Sequence, residues 1–394
     1  MIARIIRSLD DLDLLAAAWD ALADGVGSPM QRFIWARACA ESFCRRGDQL
    51  HVTTVGPVRR PTAIAPLIRR RGLGSLELLG ARELYEPTDF LYADRPALDS
   101  LVSTLSNLGR PICLHRVPAD SPTVAALQES YRRRGWVLCR PVSGSPSIPL
   151  DASWQEPEQK FNGKRRNTFR RQLRLAEAVA PVSFEVLSPS PVEVEPLLDE
   201  VYRVEAAGWK GERGTALAKD AARGAFFRRY AASASREGIL RLGFMRLGGR
   251  AIAVDLVVEC GERFWGFKHG YDEAFARFSP GILLTMHMVA RSAALGLRSF
   301  ELMGVLDPSK QMWRPVERPC VTLRAYPYGP RGLALFGSDA ARLALSRLRK
   351  LALRVPAGGG GGAPGAVRDD PGADQSAAGG TGEGLIAARG GWER

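Results

Sequence analysis

The clearest hydrophobic pattern in the chain lies between residues 239 and 303. Two strand-like runs, 239–246 and 250–259, flank Leu247-Gly248-Gly249, a pairing that predicts a hairpin. Gly261-Glu262 then turns the chain into a third strand over 263–270. Residues 280–295 carry apolar side chains at helical spacing, with Gly296 to end the helix, and 299–303 predict another strand. Helices over 192–208 and 219–236 precede this block. Earlier still, 8–24 predict one helix with Ser8 as cap and acids in its first turn. A second helix covers 31–45, strands follow at 51–55, 62–68, 75–79 and 90–92, and another helix precedes a strand at 136–139. The mixture implies an α/β (α+β) fold in two units, 1–150 and 151–330.

Composition supports that size of core: 394 residues, 45% hydrophobic and 25% charged, exclude wholesale disorder, collagen and a disulfide scaffold. The six cysteines show no paired spacing, so neither a metal site nor a disulfide framework is expected, and they fit a reducing compartment. No window approaches the roughly 18 apolar residues of a spanning helix. Asp10-Asp11 comes too early for a signal peptide, so a cytoplasmic protein is expected, or one peripheral at the inner face of the membrane. The tail, 356–394, includes Gly358-Gly359-Gly360-Gly361-Gly362 and few large apolar residues, and is expected to be disordered. Before it, 331–355 predict a basic amphipathic helix with Ser338 as candidate cap. Ala341, Leu345, Leu348 and Ala352 line one face, and Arg342, Arg349, Lys350 and Arg354 lie opposite. It either docks on the core or lies on an anionic membrane.

The net charge is +13, and the tail is slightly acidic, so the body is more basic than the whole. The densest run, 160–174, holds Lys160, Lys164, Arg165, Arg166, Arg170, Arg171 and Arg174 without an acid. It is either a solvated face or a cradle for phosphates or an acidic partner. Nucleic acid is not expected, because no aromatic platform or known DNA-binding motif accompanies the run.

Candidate chemistry gathers where the third strand gives way to the helix at 280. Ser279 suits a cap and Pro280 the first helical position, while Gly281 lets a ligand approach the exposed N–H groups. Arg277 adds charge. His269, near the end of the strand, is a residue type suited to a general base, or it serves a structural hydrogen bond. Asp255 alternates away from Ile252, Val254, Leu256 and Val258, and is either a second candidate base or a strand carboxylate paired with an arginine. His51, His115 and His287 have no comparable placement.

The segment GGRAIAVDLVVECGERFWGFKHGYDEAFARFSPGILL, the strand GLRSFELMG and the pair Lys310/Trp313 resemble the GNAT acyltransferase superfamily. The closer resemblance is to its CelD-like branch, related to FemAB-type transferases that add amino acids to peptidoglycan precursors. KRRNTFRRQLRLAE, QRFIWARACAESF and APLIRRR extend the resemblance over roughly 10–330. It implies tandem GNAT-like subdomains, the first degenerate, with mixed, mostly antiparallel sheets flanked by helices. It implies acyl-CoA (acetyl-CoA) as co-substrate rather than a resident cofactor, its pyrophosphate on the N–H groups of Ser279, Gly281, Ile282 and Leu283 beside Arg277. Lys310 matches a lysine that stabilises developing negative charge, or is a loop cation. Tyr271 and Asp272 match a pair that shapes the site. Trp209-Lys210-Gly211 and Tyr85-Glu86-Pro87-Thr88-Asp89 match segments that line the acceptor cleft. The implied activity is N-acyl transfer to an amine on an envelope or exopolysaccharide sugar precursor. The alternative is long-chain transfer from acyl-CoA or acyl carrier protein to a lipid amine such as a sphingoid base, with the basic surface meeting the carrier or an anionic membrane. Ranked lower are an aminoacyl-tRNA-dependent transferase, since 180–240 shows no sustained heptads, and a catalytically silent binding module.

Overall fold

The computed structural model describes residues 2–57, 59–208 and 220–352. Its strands are β1 (Ala3–Ile6), β2 (Gln49–Leu50), β3 (Val52–Val55), β4 (Ala63–Ala65), β5 (Leu67–Arg69), β6 (Leu76–Leu78), β7 (Leu91–Tyr92), β8 (Ile112–Pro118), β9 (Gly135–Pro149), β10 (Val182–Leu187), β11 (Leu240–Leu247), β12 (Arg250–Glu259), β13 (Arg263–Tyr271), β14 (Ser299–Glu301) and β15 (Val316–Pro327). The helices are α1 (Leu9–Asp13), α2 (Ala16–Ala23), α3 (Phe33–Phe43), α4 (Ala81–Leu84), α5 (Arg95–Asn107), α6 (Pro122–Tyr131), α7 (Gly163–Glu177), α8 (Val194–Ala206), α9 (Ala221–Arg236), α10 (Pro280–Ala294), α11 (Pro308–Gln311) and α12 (Pro330–Ala352).

A four-stranded sheet, β1-β3-β4-β7, accompanies an eleven-stranded sheet in the order β10-β11-β12-β13-β14-β9-β15-β8-β6-β5-β2. Among the strands of the described residues, β13–β14 and β6–β8 pair in parallel and the other ladders are antiparallel. The larger sheet therefore runs through both halves of the chain. β9, from the first half, pairs with β14 of the second, and β15 returns after the second half to lie between β9 and β8. Residues 1–336 form one compact unit, and the described residues from 337 onward belong to a second.

An aromatic cluster joins the halves as well. Trp35 of α3 meets Phe226 and Tyr230 of α9 edge-on at 4.9 and 5.1 Å, and Phe267 of β13 at 5.2 Å. Burial of each such side chain contributes roughly 1.5–3 kcal/mol, and edge-to-face contact adds about 0.5–1.5. β13 is thus anchored through Phe267 to Trp35, a residue of the first half of the chain.

The hairpin of β11 and β12, the strand β13 and helix α10 stand where the hydrophobic pattern puts them. Three expectations need correction. The helix over 8–24 breaks into α1 and α2, although Ser8 does accept from the Asp11 N–H at 3.1 Å. The turn between them preserves the spacing of Leu12, Leu15, Trp19 and Ala23, so periodicity cannot register it. The strand over 62–68 divides at Pro66, which has no N–H to give a ladder; β4 joins the small sheet and β5 the large one. Ser338 is interior to α12, which opens at Pro330, so it is not a cap. The tail over 356–394 lies outside the described residues.

Candidate active site

The site begins with a bulge. Along β13, Gly266 faces Val257 of β12, but Lys268 already faces Leu256, so Phe267 is an extra residue. A bulge exchanges the faces of everything beyond it. His269 consequently lies directly opposite Asp255, on the face covered by α10 and away from Trp265. The His269 Nδ1 and Asp255 Oδ1 atoms are 2.6 Å apart. Asp255 has a side chain only 6% exposed, whereas His269 keeps 43%. A carboxylate accepts from an Nδ1–H tautomer, and this pairing leaves Nε2 on the side of α10. The partner of Asp255 is therefore a histidine, and the arginine alternative is not realised. Gly243 stands next in the row across β11; a Cβ there would come within 2.7 Å of Met288 Sδ, so the glycine lets α10 seat over Asp255.

Helix α10 brings its first turn to this histidine. At Gly281 a Cβ would sit 2.7 Å from His269 Nε2 and 3.1 Å from Tyr271 Cδ1, so the basic nitrogen points at the backbone of the helix start. Pro280 occupies the first position as expected, but Ser279 does not cap: it is left-handed (φ 50°) and its side chain makes no capping bond. The preceding turn, Glu273–Phe278, drives the chain into that conformation, and the Ser279 N–H donates to Ala276 O at 2.9 Å. Leu283 is also corrected. Its side chain is core, and its N–H donates to Ser279 O at 3.2 Å, which leaves Gly281 and Ile282 as the first-turn amides without an intrahelical acceptor. Arg277 is exposed on the turn, with its guanidinium 4.6 Å from the Phe278 ring centre. Beside this, β13 and β14 pair only through Arg263–Ser299, Phe264–Phe300 and Trp265–Glu301. Farther along, from Gly266 to Tyr271, β13 has no strand partner on that side among the described residues, and the two strands diverge into a gap.

Lys310 has a different setting from the one implied by resemblance. Its ammonium donates to Met303 O at 2.9 Å and Val305 O at 2.8 Å, with Asp307 Oδ2 at 3.6 Å. It ties down the loop that follows β14. Gly304, in the middle of that loop, is held from the first half: its carbonyl accepts from Arg116 at 2.9 Å, and its N–H donates to Glu86 at 3.2 Å. Arg116 is fully buried and also donates to Gly144 O at 2.8 Å and to Tyr85 O. Tyr85, Arg116 and Met303 are all left-handed without being glycine (φ 56°, 50° and 52°), and the carbonyls of Tyr85 and Met303 are each held by a cation. Burial pushes the Glu86 carboxyl above its ordinary range, against the pull of Arg116.

The remaining expected residues separate. Asp272 is buried; it accepts from Arg250 at 2.7 Å and from the Ala274 N–H at 3.1 Å, so it fixes the turn rather than facing a substrate. Tyr271 flanks Gly281, and burial raises its phenol. Asp89 is buried against the Ser121 hydroxyl and the Phe90 N–H (2.7 Å), and burial pushes it up to about 6; its neighbour Glu86 reaches the junction instead. Trp209 lies outside the described residues. Arg116 was not singled out in the sequence, although an arginine inside the apolar run of β8 was the available signal. No group of metal-binding side chains occurs among the described residues.

Residues 163–311 match the acetyltransferase (GNAT) domain family, and the fold of the chain is like that of FemX and of lysylphosphatidylglycerol synthetase domains. Among solved structures, FemX superposes at a TM-score of 0.55 with 13% identity, covering 86% of this chain and 99% of that one. The C-terminal domain (DUF2156) assigned to a lysylphosphatidylglycerol synthetase of Agrobacterium fabrum gives 0.53 and 14%, covering 85% and 97%. The L-PGS structure from Bacillus licheniformis gives 0.50 and 12%, covering 83% and 95%. No curated protein matches in sequence.

Proposed function

We propose that the chain is an N-acyltransferase in which a thioester donor enters the gap between β13 and β14, and His269 takes the proton of the attacking amine. The observation that carries this reading is the Asp255–His269 pair aimed at the first turn of α10. The donor's phosphates would meet the Gly281 and Ile282 amides, with Arg277 nearby. The acceptor ammonium loses a proton to Nε2, its nitrogen attacks the thioester carbonyl, and the C–S bond breaks as the amide forms. N–H groups along the unpaired edge of β13 are suited to the oxyanion. Lys310, Arg116 and Glu86 hold the opposing loop in position.

The donor in this reading is acyl-CoA, and the acceptor is an amine on an envelope or exopolysaccharide sugar precursor. The exposed, strongly basic α7, with Leu175 and Val179 bare at its end, favours a second reading: transfer of a longer acyl chain to a lipid amine. Turnover by purified protein with acetyl-CoA and palmitoyl-CoA, over amino-sugar and sphingoid-base acceptors, separates the two. Activity that survives His269→Ala undiminished with every donor would remove the reading altogether.

A further inference from the structure

Helix α7 lies beside the turn that leads to the start of α10. Its buried side carries Phe169 and Ala176; Phe169 meets Phe161 edge-on at 5.2 Å, and Phe161 meets Trp313, just past α11, at 5.4 Å. The helix also packs on the turn Glu273–Phe278, which leads directly into α10. Its outward side is therefore the surface that a body delivering a thioester to α10 would touch first.

That side is unusually charged. Lys164, Arg165, Arg170, Arg171 and Arg174 are exposed within fifteen residues, and Arg166 is half-buried. Among the acids beside them, Glu158 is held by Arg170 at 2.5 Å, and Glu177 closes the helix three residues after Arg174. Like charges one turn apart repel in the isolated protein, and that repulsion is relieved when an acidic surface arrives. Lys164, Arg171 and Leu175 follow one another along the outward stripe, and Val179 lies one turn beyond Leu175. Exposed aliphatic groups beside cations suit a folded protein partner. A nucleic-acid strand would use aromatic platforms, and the aromatic residue of this helix, Phe169, is buried.

We propose that the outward face of α7 docks an acidic acyl carrier protein, which presents its acyl group as a phosphopantetheine thioester at the start of α10. The proposal rests on the acyl-transfer reading above. The carrier's C–S bond breaks, the acceptor amine forms the amide, and the carrier leaves as its thiol with the proton released from the amine. CoA and carrier share the pantetheine arm and differ in the body attached to it, so α7 decides between them without altering the chemistry.

The test compares palmitoyl-loaded acyl carrier protein with palmitoyl-CoA on the full chain, in the wild type, in Arg171→Glu/Arg174→Glu and in Arg171→Lys/Arg174→Lys. The charge-reversed pair should lower kcat/KM for the loaded carrier about tenfold or more, through KM. The lysine pair should retain it, palmitoyl-CoA turnover should change less than about twofold, and the wild-type carrier rate should fall with added salt. Fluorescence anisotropy of the labelled carrier reads docking whether or not acyl transfer is seen, so loss of the catalytic reading and loss of docking are told apart. Carrier binding that ignores the charge reversal, or an equal fall with both donors, overturns the proposal. So does a charge reversal that abolishes binding to phosphatidylglycerol vesicles, or to tRNA, while leaving carrier binding intact.

Discussion

The junction between the halves and the open end of β13 use the same kinds of side chain to opposite effect. At the junction, Arg116, Glu86 and Lys310 are turned onto backbone groups of Gly144, Gly304, Met303 and Val305, and the charges serve to hold three left-handed residues in place. At the end of β13, Asp255 directs only the inner nitrogen of His269, and the outer one faces the start of α10 across a side-chain-less residue. In the proposed reading, the contrast separates support from chemistry within one fold. A charged group committed to carbonyls stores rigidity, whereas a half-exposed imidazole oriented from behind has capacity for a substrate.

If that division holds, His269→Ala should lower kcat about 10²–10⁴-fold while leaving the melting temperature nearly unchanged. Asp255→Asn should approach the same loss, because an amide can stabilise the wrong tautomer. A large drop in stability with little loss of rate would reverse the two assignments. At the junction the effect should fall on stability. Arg116→Met leaves Glu86 and three carbonyls without their buried partner, and denaturant titration should show a loss of about 3–5 kcal/mol. An unchanged midpoint would mean that the shared sheet and the aromatic cluster hold the halves without Arg116.

Gly281→Ala sharpens the comparison at atomic scale. The added methyl displaces His269 or Tyr271 by a fraction of an ångström to about one, which should reduce turnover about 10²-fold with the fold intact. Normal turnover would place the reacting atoms elsewhere. The smallest effect is a pH signature from support rather than catalysis. Burial raises Asp89 from 3.8 to about 6, so the folded protein binds more protons than the unfolded chain between those values. Its contribution to stability should therefore fall as pH rises from about 4 to 6. Urea midpoints of wild type and Asp89→Asn should diverge over that window, and parallel curves would contradict the assignment.

The second half was legible because its signals are local. The two glycines of the hairpin, the helical spacing after Pro280 and the position of His269 beside the loop can each be read within a few residues. The bulge at Phe267 could not be read, since strict alternation from Trp265 places His269 on the wrong face; it is apparent only from the register with β12. The junction was harder still. Arg116 and Gly304 meet across 188 positions, a pairing that no local spacing can announce. Lys310 drew notice through resemblance, as a stabiliser of negative charge, and its carbonyl partners depend on a left-handed turn that no spacing announces.

The shared sheet also governs how this gene can be cut. The matched stretch, 163–311, ends before β15 and begins after β9, the strand that covers β14. A fragment with those limits would expose the backbone of Ser299, Phe300 and Glu301 as a raw edge beside the gap, together with the apolar underside of α9 that Trp35 normally fills. Such a piece is an invitation to self-association, and chimaeras that exchange the second half for a relative's would have to carry β9 and β15 along with it.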